Sequence, residues 1–122
     1  MRVLLVDPDT AVRREIGGAL ANAGYLVSSA ATRLEALVTI DRSNDKPVLI
    51  VTEIVLPELD GFSLVRALRG NPATRDIAVV FVSTQIDALS VAQAVALNAR
   101  YFVMKPFVVA DVVRKVQAAI EA

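Results

Sequence analysis

The stretch PVLIVTEIVLPELDG, residues 47–61, decides the fold of this chain. Its first six residues, 47–52, form a short apolar run of the kind found in strands that are buried on both faces. The run ends at Glu53, and Asp60-Gly61 then opens a segment whose apolar residues recur at helical spacing. The stretch therefore predicts one strand, one loop and the start of one helix, with an acid where the strand ends.

Four further units of the same kind surround this one. Apolar runs at 2–6, 25–29, 77–83 and 101–104 predict the other strands. Short apolar strands that alternate with amphipathic helices predict a single α/β domain over residues 1–122, with a five-stranded parallel sheet covered by helices on both faces. Capping residues and helical spacing place the remaining helices from Asp9 or Thr10 to Gly24, from Thr32 to about Arg42, from about Ile86 to Leu97 with Asn98 as a left-handed exit, and from about Val109 to Ile120.

The composition limits the classes of function. The 122 residues carry 13 basic and 13 acidic side chains, so no net charge draws the chain to nucleic acid or to a membrane surface. Cysteine and histidine are both absent, which excludes thiol chemistry and removes the usual general base at neutral pH. The chain also begins with no signal-peptide pattern and has no apolar run long enough to span a bilayer. We expect a cytoplasmic protein that is not an enzyme and binds neither nucleic acid nor membranes.

Polar residues follow four of the five predicted strands. In open α/β sheets the ligand site lies at the carboxyl ends of the strands, so these residues are expected to share one rim. Carboxylates beside a hydroxyl and an ammonium suit Mg²⁺ together with a phosphoryl group, although polar residues also collect at strand ends simply because those ends face water. The residues are Asp7, Asp9, Glu53, Ser83, Thr84 and Lys105.

The stretches LLVDPD (4–9), LPELDG (56–61), FVST (81–84) and VMKPF (103–107) resemble the receiver domain of bacterial two-component response regulators. The resemblance covers the whole chain and implies the flavodoxin-like fold with strand order 2-1-3-4-5. In that family, acids after strands one and three bind Mg²⁺, and the aspartate after strand three accepts a phosphoryl group from a kinase histidine. A Ser/Thr after strand four and an aromatic residue on strand five then move together, while a lysine contacts the phosphoryl group.

The resemblance assigns roles to individual positions, and two positions depart from the family pattern. Pro8 stands where the second metal-binding acid is expected, and Glu53 stands at the phosphoacceptor position itself. The positions that match are Asp7 as the first acid, Val55 as a backbone carbonyl ligand, Ser83 as the switch hydroxyl, Phe102 as the switch aromatic and Lys105 as the lysine, and Thr84 beside Ser83 is counted with the switch and phosphoryl-contact positions.

The two departures change the expected function. Pro8 offers no ligand, so we expect a Mg²⁺ site that is weakened or absent, with Asp9 as the only nearby replacement. Glu53 is one methylene longer than an aspartate, and phosphoryl transfer depends on positioning at about the ångström scale. The sequence therefore predicts an atypical, phosphorylation-independent receiver that acts as a protein-interaction module.

Several interpretations stay open at this point. Glu53 either imitates a phosphoryl group by reaching Lys105 and Ser83, or forms an inert ion pair that closes an abandoned site. A glutamate introduced on purpose as a mimic is a third interpretation, against which Pro8 counts as an independent change. The rivals in function are a working receiver that uses Asp9 or Ser83 as acceptor, and a flavodoxin-like cofactor binder, which the acidic segment after strand one disfavours.

The fourth helix carries more apolar surface than one buried face needs. Its polar residues form only a narrow stripe, although exposed alanines in a helix are favourable by themselves. We expect a protein partner or a second copy, with a histidine kinase as a further candidate, to bind across helix 4, strand 5 and helix 5. Gly17-Gly18 inside the first helix costs up to about 1 kcal/mol per glycine relative to alanine, and one hypothesis is close approach of another helix. The residues predicted to form the binding surface are Leu89, Val91, Val95, Phe102 and Phe107.

Overall fold

The computed structural model describes residues 1–122, and five β-α units follow one another along the chain. No helix has both the length and the apolar character needed to cross a membrane. The elements are β1 (Arg2–Val6), α1 (Thr10–Asn22), β2 (Leu26–Ala30), α2 (Arg33–Arg42), β3 (Leu49–Thr52), α3 (Gly61–Arg69), β4 (Ala78–Ser83), α4 (Ala88–Ala96), β5 (Tyr101–Met104) and α5 (Val109–Glu121).

The five strands form one parallel sheet in the order β2-β1-β3-β4-β5, which confirms the expected topology. The register pairs Val6 with Thr52, Thr52 with Phe81, and Ser83 with Met104. The carboxyl ends of β1, β3, β4 and β5 therefore lie at the same edge of the sheet, where the side chains that follow them meet.

The core lies in two layers, one on each face of the sheet. Residues of one strand alternate between the layers, so that Val3 and Leu5 pack with α1 and α5, whereas Leu4 and Val6 pack with α2 and α3. A third cluster, around Phe62 and Phe81, packs α3 and α4 against β4. Because both faces are covered, every residue of β3 is buried, as the uninterrupted apolar run predicted.

The predicted boundaries agree with the structure at β1 and β5, and the left-handed helix exits are present at Gly24 and Asn98, with φ of 99° and 57°. The predicted start of α4 near Ile86 is wrong by two residues. The Asp87 carboxylate accepts a hydrogen bond of 2.8 Å from the backbone N–H of Ser90, which makes Asp87 the N-cap and starts the helix at Ala88.

Gly17 and Gly18 are not approached by another helix of this chain. A Cβ on Gly17 would lie 3.8 Å from Leu5 and 3.9 Å from Val27, which are ordinary contacts with the sheet, and a Cβ on Gly18 would meet nothing within 4 Å. Within this chain, close helix packing therefore does not explain the two glycines.

Candidate functional site

Backbone hydrogen bonds continue past the strand ends and fix three charged residues on one rim. The backbone N–H of Glu53 donates to the carbonyl of Val6 at 2.9 Å, and that of Lys105 donates to the carbonyl of Ser83 at 2.9 Å. Asp7 follows β1 directly and is buried. Asp7, Glu53 and Lys105 are therefore held by the sheet itself.

Lys105 joins the two acids of the rim. Its Nζ donates to Asp7 Oδ2 at 2.7 Å and to Glu53 Oε1 at 3.1 Å. The three side chains are shielded from solvent, with relative exposures of 3% for Asp7, 8% for Glu53 and 16% for Lys105. Burial acts to lower the pKa of Lys105, but the hydrogen bonds and charges of Asp7 and Glu53 raise it by more, so the net pKa lies above its ordinary value. The ammonium is thus held in its charged form.

The longer side chain of Glu53 folds back onto its own loop. Its Oε2 accepts hydrogen bonds from the backbone N–H groups of Ile54 and Val55, the second at 3.1 Å. Glu53 makes no hydrogen bond to Ser83, whose buried Oγ accepts instead from the backbone N–H of Gln85 at 3.0 Å. The Glu53 contact with Lys105 expected from the sequence is present, and the contact with Ser83 is not made.

Asp9 is engaged at the start of α1. Its Oδ1 accepts hydrogen bonds from the backbone N–H groups of Ala11 at 2.8 Å and Val12 at 3.4 Å, which makes Asp9 rather than Thr10 the N-cap. Its own backbone N–H donates to Asp7 Oδ1 at 2.9 Å. Asp9 therefore orders Asp7 through its backbone, while its side chain satisfies the helix terminus.

The residues of the rim do not fit the Mg²⁺ ion that the family resemblance implies. A magnesium ion requires oxygen ligands in near-octahedral arrangement, usually including carboxylates. Each carboxylate oxygen of Asp7 and Glu53 already accepts from an N–H donor, and Pro8 contributes no ligand. No group of three acidic side chains gathers anywhere in the chain to hold a metal. The Asp9 carboxylate caps α1 through its Oδ1, and Val55 has only a neutral backbone carbonyl to offer, so Val55 does not replace the charge that is missing at Pro8.

The predicted switch positions lie beside this rim. Ser83 is buried, whereas Thr84, the next residue, is exposed. The ring of Phe102 stacks on that of Phe81, with centroids 6.0 Å apart and an interplanar angle of 23°, and Phe81 in turn contacts Phe62 at 5.3 Å. The row of aromatic rings connects β5 to the start of α3.

Gly61 supports the loop that carries Glu53. Its backbone N–H donates to the carbonyl of Ile54 at 2.7 Å, and a Cβ at this position would lie 2.4 Å from the carbonyl oxygen of Glu53. Only glycine fits so close an approach. The Asp60-Gly61 pair was predicted only as the start of a helix, so this second role of Gly61 was missed.

Arg13 is a further residue that the sequence did not indicate. Its guanidinium Nη1 donates to the main-chain carbonyl of Asp7, which brings a second positive charge next to the rim. The spacing of six residues across a strand end and a helix start carries no signal that would have predicted this contact.

The predicted binding surface differs in exposure from residue to residue. Leu89 is 71% exposed and Val95 is 48% exposed, whereas Val91, Phe102 and Phe107 are only partly exposed. Two apolar residues that were not predicted extend the surface toward the rim, namely Met104 and Val108. These two line a groove of about 380 Å³ between β5 and the start of α5.

The sheet order and the charged rim are those of a flavodoxin-like α/β domain, and comparison with known proteins gives its family. The sequence model of the response regulator receiver domain family matches residues 3–117, so the chain belongs to that family. Its fold is shared with a solved CheY-like receiver domain protein of Methanospirillum hungatei JF-1, with a TM-score of 0.86 at 27% identity over 98% of this chain and 93% of that chain.

Two curated relatives place this domain within longer proteins. Response regulator MprA of Mycobacterium leprae is 34% identical over 119 residues, which are 97% of this chain and 50% of that protein. The gliding motility regulatory protein of Myxococcus xanthus is 42% identical over 85 residues, which are 69% of this chain and 11% of that protein. The chain thus spans about half the length of the response regulator that it matches.

Proposed function

We propose that this chain is an atypical receiver domain of two-component signalling that works without phosphorylation, as a protein-interaction module. The observation that carries the proposal is the hydrogen bonding of Glu53, which stands at the phosphoacceptor position. One of its oxygens is paired with Lys105 and the other accepts from two backbone N–H groups. Both carboxylate oxygens are thus engaged, one of them by the lysine that, in the family, contacts the transferred phosphoryl group.

The geometry gives a physical reason for slow phosphoryl transfer. An attacking carboxylate oxygen must lie in line with the leaving group, and its partner charges must be free to stabilise the transferred group. Glu53 Oε1 is instead held 3.1 Å from the Lys105 ammonium, which also binds Asp7. An incoming phosphoryl group would have to break this buried network before it could react.

Of the two interpretations of Glu53, the contacts favour a closed site over an imitated phosphoryl group. A mimic should engage both the lysine and the switch hydroxyl, but Glu53 binds only Lys105, and Ser83 is paired with Gln85. Glu53 therefore supplies a permanent charge that holds the rim in one arrangement.

The proposed readout surface is the apolar face of α4, β5 and the start of α5. Leu89, Val95, Met104 and Val108 are exposed there at 48% or more, which is the composition that a protein partner or a second copy would cover. A histidine kinase is a further candidate partner. We also propose a cytoplasmic location and no enzymatic activity of its own. We expect no contact with nucleic acid, because the charge of the chain is balanced.

Incubation with a small acyl phosphate and Mg²⁺, followed by intact-mass measurement, tests the proposal. We expect no added phosphoryl mass on the chain and labelling of the double variant Pro8→Asp/Glu53→Asp, which restores both family acids. Stoichiometric labelling of the unchanged chain would contradict the proposal. The variants Asp9→Ala and Ser83→Ala would then show whether either residue is the acceptor, although Asp9 caps α1 and Ser83 is buried.

A further inference from the structure

The rim buries two carboxylates from neighbouring strands. Asp7 and Glu53 are 2% and 7% exposed as whole residues, and they follow β1 and β3, which are adjacent in the sheet. Buried charges of like sign are strongly unfavourable unless a cation lies between them. In this chain the cation is a side chain, because the Lys105 ammonium contacts one oxygen of each acid.

The remaining oxygens are also satisfied without a metal. Asp7 Oδ1 accepts from the Asp9 backbone, and Glu53 Oε2 accepts from the backbone N–H groups that follow it. Two carboxylates and one ammonium leave a single negative charge, and the Arg13 guanidinium bound to the Asp7 carbonyl offsets that charge. A divalent cation entering this rim would have to displace the ammonium from both acids, and it would meet a negative field that Lys105 and Arg13 already reduce.

We propose that Lys105 is the resident cation of this rim, that the chain consequently does not take up Mg²⁺ there, and that removal of the ammonium converts Asp7 and Glu53 into a divalent-cation site. The inference concerns the site of the proposed function but does not require any statement about phosphoryl transfer. It follows from the pairing of Lys105 with Asp7 and Glu53, since the two buried acids need a cation and the lysine provides it.

Thermal unfolding of the 122-residue chain, with and without MgCl₂ at constant ionic strength, is the first measurement. We expect no shift in Tm for the unchanged chain. For Lys105→Met, which keeps most of the stem and removes the charge, we expect a lower Tm without Mg²⁺ and a rise of about 5 °C when Mg²⁺ exceeds its Kd roughly tenfold. Lys105→Arg keeps a cation and should stay insensitive to Mg²⁺.

Direct binding of Mn²⁺ is the second measurement. Binding is detected as a loss of the electron-paramagnetic-resonance signal of the free ion. We expect one Mn²⁺ per chain for Lys105→Met, and none for the unchanged chain or for Asp7→Asn/Lys105→Met, which has lost one carboxylate. Because the unchanged chain is measured directly, the proposal stays testable even where Lys105→Met does not fold.

Two results would overturn the proposal. The first is stoichiometric Mn²⁺ binding or Mg²⁺ stabilisation of the unchanged chain, and the second is a folded Lys105→Met variant that gains neither. No phosphodonor is present in these measurements, so phosphoryl labelling of the unchanged chain would refute the proposed function alone, and Mn²⁺ binding by that chain would refute this inference alone.

Discussion

Glu53 differs from an aspartate by one methylene, and this added length determines its hydrogen bonding. The sequence allowed the prediction that an acid follows β3 and meets Lys105. It did not allow the prediction that the second oxygen turns back to Ile54 and Val55, because that contact depends on the local turn and on the side-chain rotamer. The contact of Lys105 with Asp7 was likewise not specified, because the strand ends placed both residues on one rim without showing which acids the lysine would pair with.

The raised pKa of Lys105 gives a prediction for alkaline pH. A group whose pKa is raised by folding stabilises the fold below its unfolded pKa, and this stabilisation is lost as the pH rises through the folded pKa. The ordinary value is 10.5, so the free-energy difference between the unchanged chain and Lys105→Met should be constant from neutral pH upward and should shrink above 10.5. Urea unfolding at a series of pH values measures this difference.

Lys115→Met is the matched control for this experiment. Lys115 is exposed and makes no salt bridge, so its removal should leave the alkaline profile of the unchanged chain intact. A difference between Lys105→Met and the unchanged chain that stays constant across the whole range would contradict the assignment of the ion pair.

Gly61 gives a second prediction at the residue scale. Alanine at this position would place its Cβ 2.4 Å from the carbonyl oxygen of Glu53, a backbone atom that cannot move without shifting the rim. Gly61→Ala should lower the free energy of unfolding by about 1–3 kcal/mol, the usual cost of overpacking. Gly70→Ala is the control, because its nearest contact would be an ordinary 3.5 Å from Arg66. Equal stability of the two variants, measured by urea unfolding, would show that the loop adapts.

At the scale of elements, α1 contains a glycine that its packing does not require. A Cβ on Gly18 would meet nothing within 4 Å, so Gly18→Ala should stabilise the chain by up to about 1 kcal/mol, through helix propensity alone. Gly24→Ala should instead destabilise it, because Gly24 has a φ of 99° that alanine adopts poorly. Thermal unfolding of both variants tests the pair. A destabilised Gly18→Ala variant would contradict the open surroundings of Gly18 or indicate that a second copy of the chain packs there.

The helix starts show why boundaries are harder to predict than elements. Apolar spacing alone placed the start of α4 near Ile86. The carboxylate of Asp87 instead caps the helix, and a capping residue precedes the first residue of the helix. The same kind of contact decided between Asp9 and Thr10 at α1. In both cases the existence of the helix followed from periodicity, and its first residue followed from one side-chain hydrogen bond.

For the whole molecule, the alternation of strands and helices was sufficient to predict a parallel sheet covered on both faces. The order of the strands came from the resemblance to a family, because the periodicity of a strand carries no information on which strand lies beside it. The rim was predictable as a set of residues, since parallel strands end at one edge. Its hydrogen bonds were not, because they depend on distances of a few tenths of an ångström between side chains from different strands.

The position of Lys105 also affects how the sheet opens. Lys105 follows the edge strand β5, its backbone is bonded to β4, and its ammonium reaches acids at the ends of β3 and β1. An edge strand ordinarily frays by itself, with amide hydrogens that exchange quickly. Here the carboxyl end of β5 separates only if the shielded ion pair at the ends of β1 and β3 also breaks. Within β5, we therefore expect the slowest amide hydrogen exchange beside Lys105, at the end of the strand where fraying usually begins.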